Sequence, residues 1–125
     1  MPRKVHTNVF IRRVAPDITV RVRIQIGQVQ TGEWKVWRDS TQLATGTDTD
    51  KIVDLGPAHD LYGHLLQVEV RCDDTNPGTD RLAALIALTP PLLQVQWSTD
   101  NAGSESPHCM MTSIAEIMLL PELAP

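Results

Sequence analysis

The stretch DITVRVRIQIGQVQ, residues 17–30, decides the fold of this chain. Within it, apolar side chains alternate strictly with polar ones over nine positions. The apolar members are Ile18, Val20, Val22, Ile24 and Ile26. A period of two is typical of a β-strand that buries one face and exposes the other. A helix would place Arg21 and Arg23 among the apolar side chains, so the pattern excludes a helix here.

Several other segments carry a strand pattern. LLQVEVRC (residues 65–72) and LLQVQWS (residues 92–98) alternate in the same way. RLAALIAL (residues 81–88) fits a helical period as well as a strand period, and we predict a strand because it is short and bounded by turn residues. CMMTSIAEIMLL (residues 109–120) is apolar enough to form either a short terminal helix or a buried last strand, and we favour the strand.

Candidate strands recur every 8–12 residues and are separated by Gly, Pro and Asp turns, which indicates an all-β protein. We predict one domain over residues 1–125: an antiparallel β-sandwich of seven to nine strands, immunoglobulin-like or jelly-roll-like, whose C-terminal segment is a strand or a short helix. No particular family is recognised. The likeness to immunoglobulin or jelly-roll domains is one of architecture, and architecture does not set function.

Composition narrows the classes of function. The 125 residues have a net charge of −4, which disfavours nucleic acid as a partner. No apolar run approaches the 18 residues of a transmembrane helix, and no secretory signal follows the first basic residues. Only two cysteines are present, and they lie far apart in the chain. We therefore expect a cytoplasmic protein without a membrane or nucleic-acid partner.

The outward face of the sandwich offers the clearest candidates for binding. Eight of the eleven Lys and Arg residues lie within the first 38 positions, whereas acidic residues concentrate between positions 39 and 80. In EWKVWRD (residues 33–39), alternation places one tryptophan in the core and Trp37 on the outer face. We predict an interface formed by Arg21, Arg23 and Trp37, because Arg and Trp are enriched at binding hot spots. The alternative is a solvated face whose arginines pair with Glu33 and Glu69.

Two acidic loops are candidates for a metal site. Their oxygen-bearing side chains are those of Asp48, Asp50, Asp73, Asp74 and Asn76. Calcium takes six to eight oxygen ligands, which two loops at one end of a sandwich can supply. Neither loop fits the EF-hand spacing, and Asp, Asn and a Pro-Gly pair are also the ordinary residues of β-turns. The turn interpretation is the stronger one, so we predict no metal and no cofactor.

Catalytic signals are weak. Cys109 follows His108, but neighbouring side chains on a strand point to opposite faces, which a Cys-His pair cannot use. A zinc site would need Cys72, Cys109 and two histidines to converge, and no short Cys or His spacing supports it. No GxSxG, HExxH or phosphate-loop motif is present. We predict that the chain is not an enzyme.

These observations favour a non-enzymatic protein-binding or structural module that self-associates or forms a subunit of a larger assembly. In the self-associating version, the basic face of one copy meets the acidic end of the next. The alternative is a calcium-dependent module that binds a ligand such as a carbohydrate. A third possibility is a small hydrolase that uses the loop carrying Cys109 and His108.

Overall fold

The computed structural model describes the backbone of residues 3–26, 31–73, 81–89, 92–100 and 110–123, and the side chains of residues 7–26, 32–72, 84–89, 92–97 and 111–123. Within these ranges the chain forms nine strands and one short 3₁₀ helix at Ala58–Asp60. The strands are β1 (Arg3–Val14), β2 (Thr19–Ile26), β3 (Thr31–Arg38), β4 (Thr41–Gly46), β5 (Asp50–Pro57), β6 (Leu65–Asp73), β7 (Arg81–Thr89), β8 (Leu93–Asp100) and β9 (Met110–Pro121).

The strands form two sheets, so the predicted all-β class is confirmed. One sheet has five strands in the order β1-β9-β6-β3-β4, and the other has four in the order β5-β2-β7-β8. Each segment whose period was ambiguous is a strand: residues 81–88 lie in β7 and the C-terminal segment forms β9. Tertiary context determines the structure of both segments, because each pairs with a neighbouring strand along most of its length.

The prediction of an antiparallel sandwich needs correction at one pair. β1 and β9 run parallel, in register from Arg3↔Met110 to Val14↔Pro121. All the other strand pairs in the described residues are antiparallel. The physical reason is connectivity: a hairpin forces antiparallel pairing, but β1 and β9 are separated by all the other strands, so no turn fixes their relative direction.

The core lies between the two sheets and follows the period of two in the sequence. In β2 every second side chain is buried, from Val20 to Ile26, as the opening stretch predicted. β6 contributes Leu66, Val68, Val70 and Cys72 from the facing sheet, all fully buried. Burying a side chain of this size stabilises the fold by about 1.5–3 kcal/mol. The alternation of β2 and β6 therefore determines which face of each sheet points inward.

The two tryptophans of β3 separate as the pattern requires. Trp34 is buried, whereas Trp37 lies half-buried on the outer face. The indole of Trp34 lies against Gly46 of β4, where an added Cβ would approach the indole Cζ2 to 2.5 Å. Glycine at position 46 thus lets the edge strand cover one of the two tryptophans of the core.

Candidate interaction surface

The outward faces of β1 and β9 form a largely apolar surface, which Glu116 interrupts between Ile114 and Met118. Register places Val9 beside Glu116, Ile11 beside Met118, and Met118 beside Leu65 of β6. We name the outer strip the apolar side chains on this face, which are Val9, Ile11, Leu65, Ile114, Met118 and Leu120. Val9 is 68% exposed and Ile11 is 58% exposed. Contiguous exposed apolar side chains of this kind are typical of interaction sites.

The outer strip faces solvent because the other side of β1 is fixed against the second sheet. Arg12 points inward, where its Nε donates a hydrogen bond to the carbonyl oxygen of Leu92 over 3.0 Å. Its guanidinium also lies 5.4 Å from the centre of the Phe10 ring. With Phe10, Arg12 and Val14 directed toward the sandwich, alternation leaves Val9, Ile11 and Arg13 outside.

A second contact holds β1 against β8 at the edge of the sandwich. The indole Nε1 of Trp97 donates a hydrogen bond to Asn8 Oδ1 over 2.7 Å. Trp97 is buried, so this bond satisfies an indole N–H that would otherwise be desolvated without a partner. The bond and the Arg12 contact together determine which face of β1 is presented to solvent.

Two side chains of opposite charge lie on the same face as the outer strip, Arg13 at its end and Glu116 among its apolar members. Arg13 is exposed on β1, and its Nη1 donates a hydrogen bond to the carbonyl oxygen of Pro121 over 2.9 Å. Glu116 is half-buried on β9, between Val9 and Gln67 of the neighbouring strands. Within the described residues, neither side chain forms an ion pair. Both charges are therefore available to a partner that covers the strip.

The predicted interface residues do not share one surface. Arg21 and Arg23 lie on the outer face of the four-stranded sheet, whereas Trp37 lies on the outer face of the five-stranded sheet. Trp37 shares its face with the outer strip, and Gln67 stands between it and Glu116. A single partner cannot cover all three residues without spanning both sides of the sandwich.

The arginines of β2 are paired within the chain. Arg23 donates two hydrogen bonds to the Asp50 carboxylate, from Nε over 3.1 Å and from Nη2 over 2.9 Å. Arg21 lies 3.7 Å from the carboxylate of Asp54, so both partners come from β5. The hydrogen bonds from Arg23 hold the pKa of Asp50 below its usual value. These pairs largely neutralise the face that the sequence suggested was basic.

The partners of these arginines differ from the ones that the sequence suggested. Glu33 lies 3.8 Å from Arg71, not from an arginine of β2. Glu69 stands beside Lys35 in the register of β3 and β6. Arg12 belongs to the other sheet and points inward, so it does not extend the surface formed by Arg21 and Arg23.

The candidate metal ligands are brought together only in part. β4 and β6 both run antiparallel to β3, so their last residues, Gly46 and Asp73, lie at the same end of the five-stranded sheet. The Asp50 carboxylate is occupied by Arg23, which competes with a cation for the same oxygens. Asp74 and Asn76 lie outside the described residues, as does the side chain of Asp73. Among the described residues no three His, Cys, Asp or Glu side chains form a group suited to a metal ion.

The thiol and imidazole groups are not assembled into a catalytic site in the part of the chain that the structure describes. Cys72 is buried in the core, and the Cys109 and His108 pair lies outside the described residues. His64 Nδ1 lies 2.7 Å from Asp39 Oδ2 at the β3–β4 turn. The same carboxylate accepts a hydrogen bond from the backbone N–H of Leu65 over 3.0 Å, and these bonds, with that of His64 the larger, lower the pKa of Asp39.

A shallow depression lies at the β7–β8 connection. Its volume is about 390 Å³, and the residues that line it are Ala87, Leu88, Thr89, Leu92, Leu93 and Gln94. None of the described residues that line it is ionisable, so they offer no acid–base pair. The outer strip is therefore the stronger candidate for function.

Comparison with known proteins adds no relative: no family model, no curated protein and no solved structure matches this chain. The part of the chain that the structure describes contains no helix with the length and hydropathy needed to cross a bilayer. The outer strip, with Arg13 and Glu116 on the same face, is accordingly the feature from which a function can be inferred.

Proposed function

We propose that this chain is a non-enzymatic protein-binding module that associates through the outer strip of β1 and β9. The observation that carries the proposal is the exposure of Val9 and Ile11 beside the half-buried Ile114, Met118 and Leu120. Burial of apolar area of this kind is the main driving force of protein association. The proposal includes a structural role within a larger assembly.

The proposal also includes an immunoglobulin-like or jelly-roll-like topology and a cytoplasmic location. Two stacked sheets that present side chains outward suit either topology. The low cysteine content supports a reducing compartment, because extracellular domains of this size often depend on disulfides.

Site-specific photo-cross-linking tests the binding surface. A photoreactive phenylalanine analogue replaces Ile11, and a control chain carries it in place of Ile52. Ile52 is a matched control because it is an equally large side chain, 57% exposed, on the opposite sheet. In extracts of the cells that produce the chain, we expect the analogue at position 11 to form covalent adducts with a partner protein. If the chain self-associates, the purified chain should also form adducts with itself. Excess unlabelled wild-type chain should compete for them, whereas the Ile11→Asp chain should not.

Equal adduct yields at the two positions, or adducts that the wild-type chain does not compete away, would show that the outer strip is not a specific binding surface. The mass of the competed adduct distinguishes a second copy of the chain from a different protein. An adduct with a different protein is consistent with the proposed function.

A calcium-dependent module for carbohydrate remains the second candidate. It is favoured by the shared end of β4 and β6, because Asp48 and Asp74 follow these two strands closely in the sequence. A ligand that binds only the native state raises the midpoint of thermal unfolding. Melting curves with millimolar calcium and with EDTA test this candidate, and equal midpoints would reject it.

A further inference from the structure

The outer strip is complementary to itself. Ile11 and Met118 are register partners at its centre, Arg13 lies two residues beyond Ile11, and Glu116 lies two residues before Met118. Because β1 and β9 are parallel, the two charges lie diagonally on opposite sides of the Ile11–Met118 pair. Two copies can face each other across a two-fold axis that lies in the plane between their strips and passes over the middle of the Ile11–Met118 pair. This axis places Arg13 of each copy opposite Glu116 of the other.

The strand spacing allows this arrangement without distortion. Arg13 and Glu116 are separated by four residues along the strands, about 13 Å, and by one strand spacing, about 4.8 Å. The axis that exchanges them makes the strands of the two copies cross at about 40°, which is close to the roughly 30° typical of stacked sheets. The two facing strips then pack as two sheets of a sandwich do.

We propose that the outer strip binds a second copy of this chain in a symmetric dimer with two reciprocal Arg13–Glu116 ion pairs. This inference rests on the proposed function, because it identifies the occupant of the same surface. A symmetric interface uses one surface on both subunits, so each side chain that crosses it contributes twice. The result is a closed pair and not a chain of copies.

Charge complementarity selects a second copy as the occupant. Arg21, Arg23 and Arg71 each lie near a carboxylate in the monomer. Within the described residues Arg13 has no carboxylate partner and donates a hydrogen bond to the carbonyl oxygen of Pro121. Dimerisation gives Arg13 and Glu116 a partner while the apolar side chains between them are removed from water.

The size of the strip sets the expected strength. Three strands about 4.8 Å apart and six residues in length span about 300 Å² in projection, which is less than the roughly 800 Å² per partner of a standard interface. We therefore expect a weak dimer of the transient class. Sedimentation equilibrium from about 1 µM to about 500 µM measures its Kd.

Charge reversal provides the decisive test. The R13E chain presents two carboxylates at each crossing, and the E116R chain presents two cations, so each variant alone repels its own copy. We expect the Kd of each to rise at least about tenfold over wild type. Mixing the two variants in equal amounts restores both ion pairs, so the mixture should form a heterodimer with nearly the wild-type Kd. K51E is the control, since it reverses an exposed charge on the opposite sheet that forms no ion pair within the described residues, and it should leave the Kd unchanged.

Each outcome decides the inference. An unchanged Kd in both single variants, a mixture that stays monomeric, or a wild-type chain that is monomeric at about 500 µM overturns the symmetric dimer. None of these results affects the photo-cross-linking test, which detects any partner of the strip. Circular dichroism checks that each variant folds. If a reversal prevents folding, R13Q and E116Q replace it, and both should still weaken the dimer several-fold.

Discussion

Replacing Gly46 by alanine is expected to destabilise the sandwich, although glycine is ordinarily a poor strand residue. Gly→Ala in a strand gains about 0.5–1 kcal/mol by restricting the unfolded chain. At this position the new Cβ would lie 2.5 Å from Cζ2 and 2.9 Å from Cε2 of Trp34. Carbon atoms in contact lie about 3.5–4.0 Å apart, so the indole or β4 must move by about 1 Å.

The expected free energy follows from these opposing effects. Overpacking in a well-filled core costs about 1–3 kcal/mol, which exceeds the gain from the unfolded state. We therefore expect G46A to lower the free energy of unfolding by about 0.5–2 kcal/mol, measured by urea denaturation with an unchanged m-value. The W34F background supplies the control, because phenylalanine lacks the outer ring that meets Gly46. In that background G46A should be neutral or stabilising.

The effect of G46A in the two backgrounds shows whether the contact with Trp34 causes the loss of stability. A G46A chain that is as stable as wild type, or that loses the same stability with and without Trp34, would show that the close approach of indole and glycine does not determine the effect.

Three further predictions concern the core, the stability at low pH and the edge of the sandwich. Ile24→Ala should lower the free energy of unfolding by about 2–5 kcal/mol in urea denaturation, whereas Ile52→Ala, at an exposed site, should change it by less than about 0.5 kcal/mol. Because the folded pKa of Asp39 is lowered, its stabilisation is present above the unfolded pKa of about 3.9 and is lost as the pH falls through the folded value. The midpoint of thermal unfolding should accordingly vary less with pH below about 4 for the D39N chain than for wild type. Trp97→Phe removes the hydrogen bond to Asn8, so hydrogen exchange in β1 should quicken relative to β6.

The sequence predicted the parts of the fold that local alternation controls. β2 has apolar side chains on one face only, and so does β6 after Leu65, so their period of two identified both the strand and its buried side. Pairing depends on distant segments, and the alternation of β2 carries no information about β5. The Arg23–Asp50 pair therefore could not be read from the sequence, and the solvated-face alternative named the wrong carboxylates.

The outer strip was missed for a related reason. β1 and β9 have apolar side chains on both faces: Phe10 points inward beside an exposed Val9 and Ile11, and Ile117 is buried beside a half-buried Met118. Alternation cannot choose a buried face when both faces are apolar. The two-sided apolar pattern was itself the available signal, since a strand of this composition is usually covered on both sides.

The parallel β1–β9 pair has a consequence for synthesis on the ribosome. In the part of the chain that the structure describes, β1 pairs with β9 alone in its own sheet, so this pairing cannot form until β9 has emerged. During translation the apolar side chains of β1 are exposed on both faces while seven other strands are made. Pairing of segments this far apart is slow, because the loop entropy must be lost before the contacts form. The nascent chain is therefore most prone to aggregation just before Met110–Pro121 completes the sheet, and a chaperone that shields β1 should raise the folded yield most during that interval.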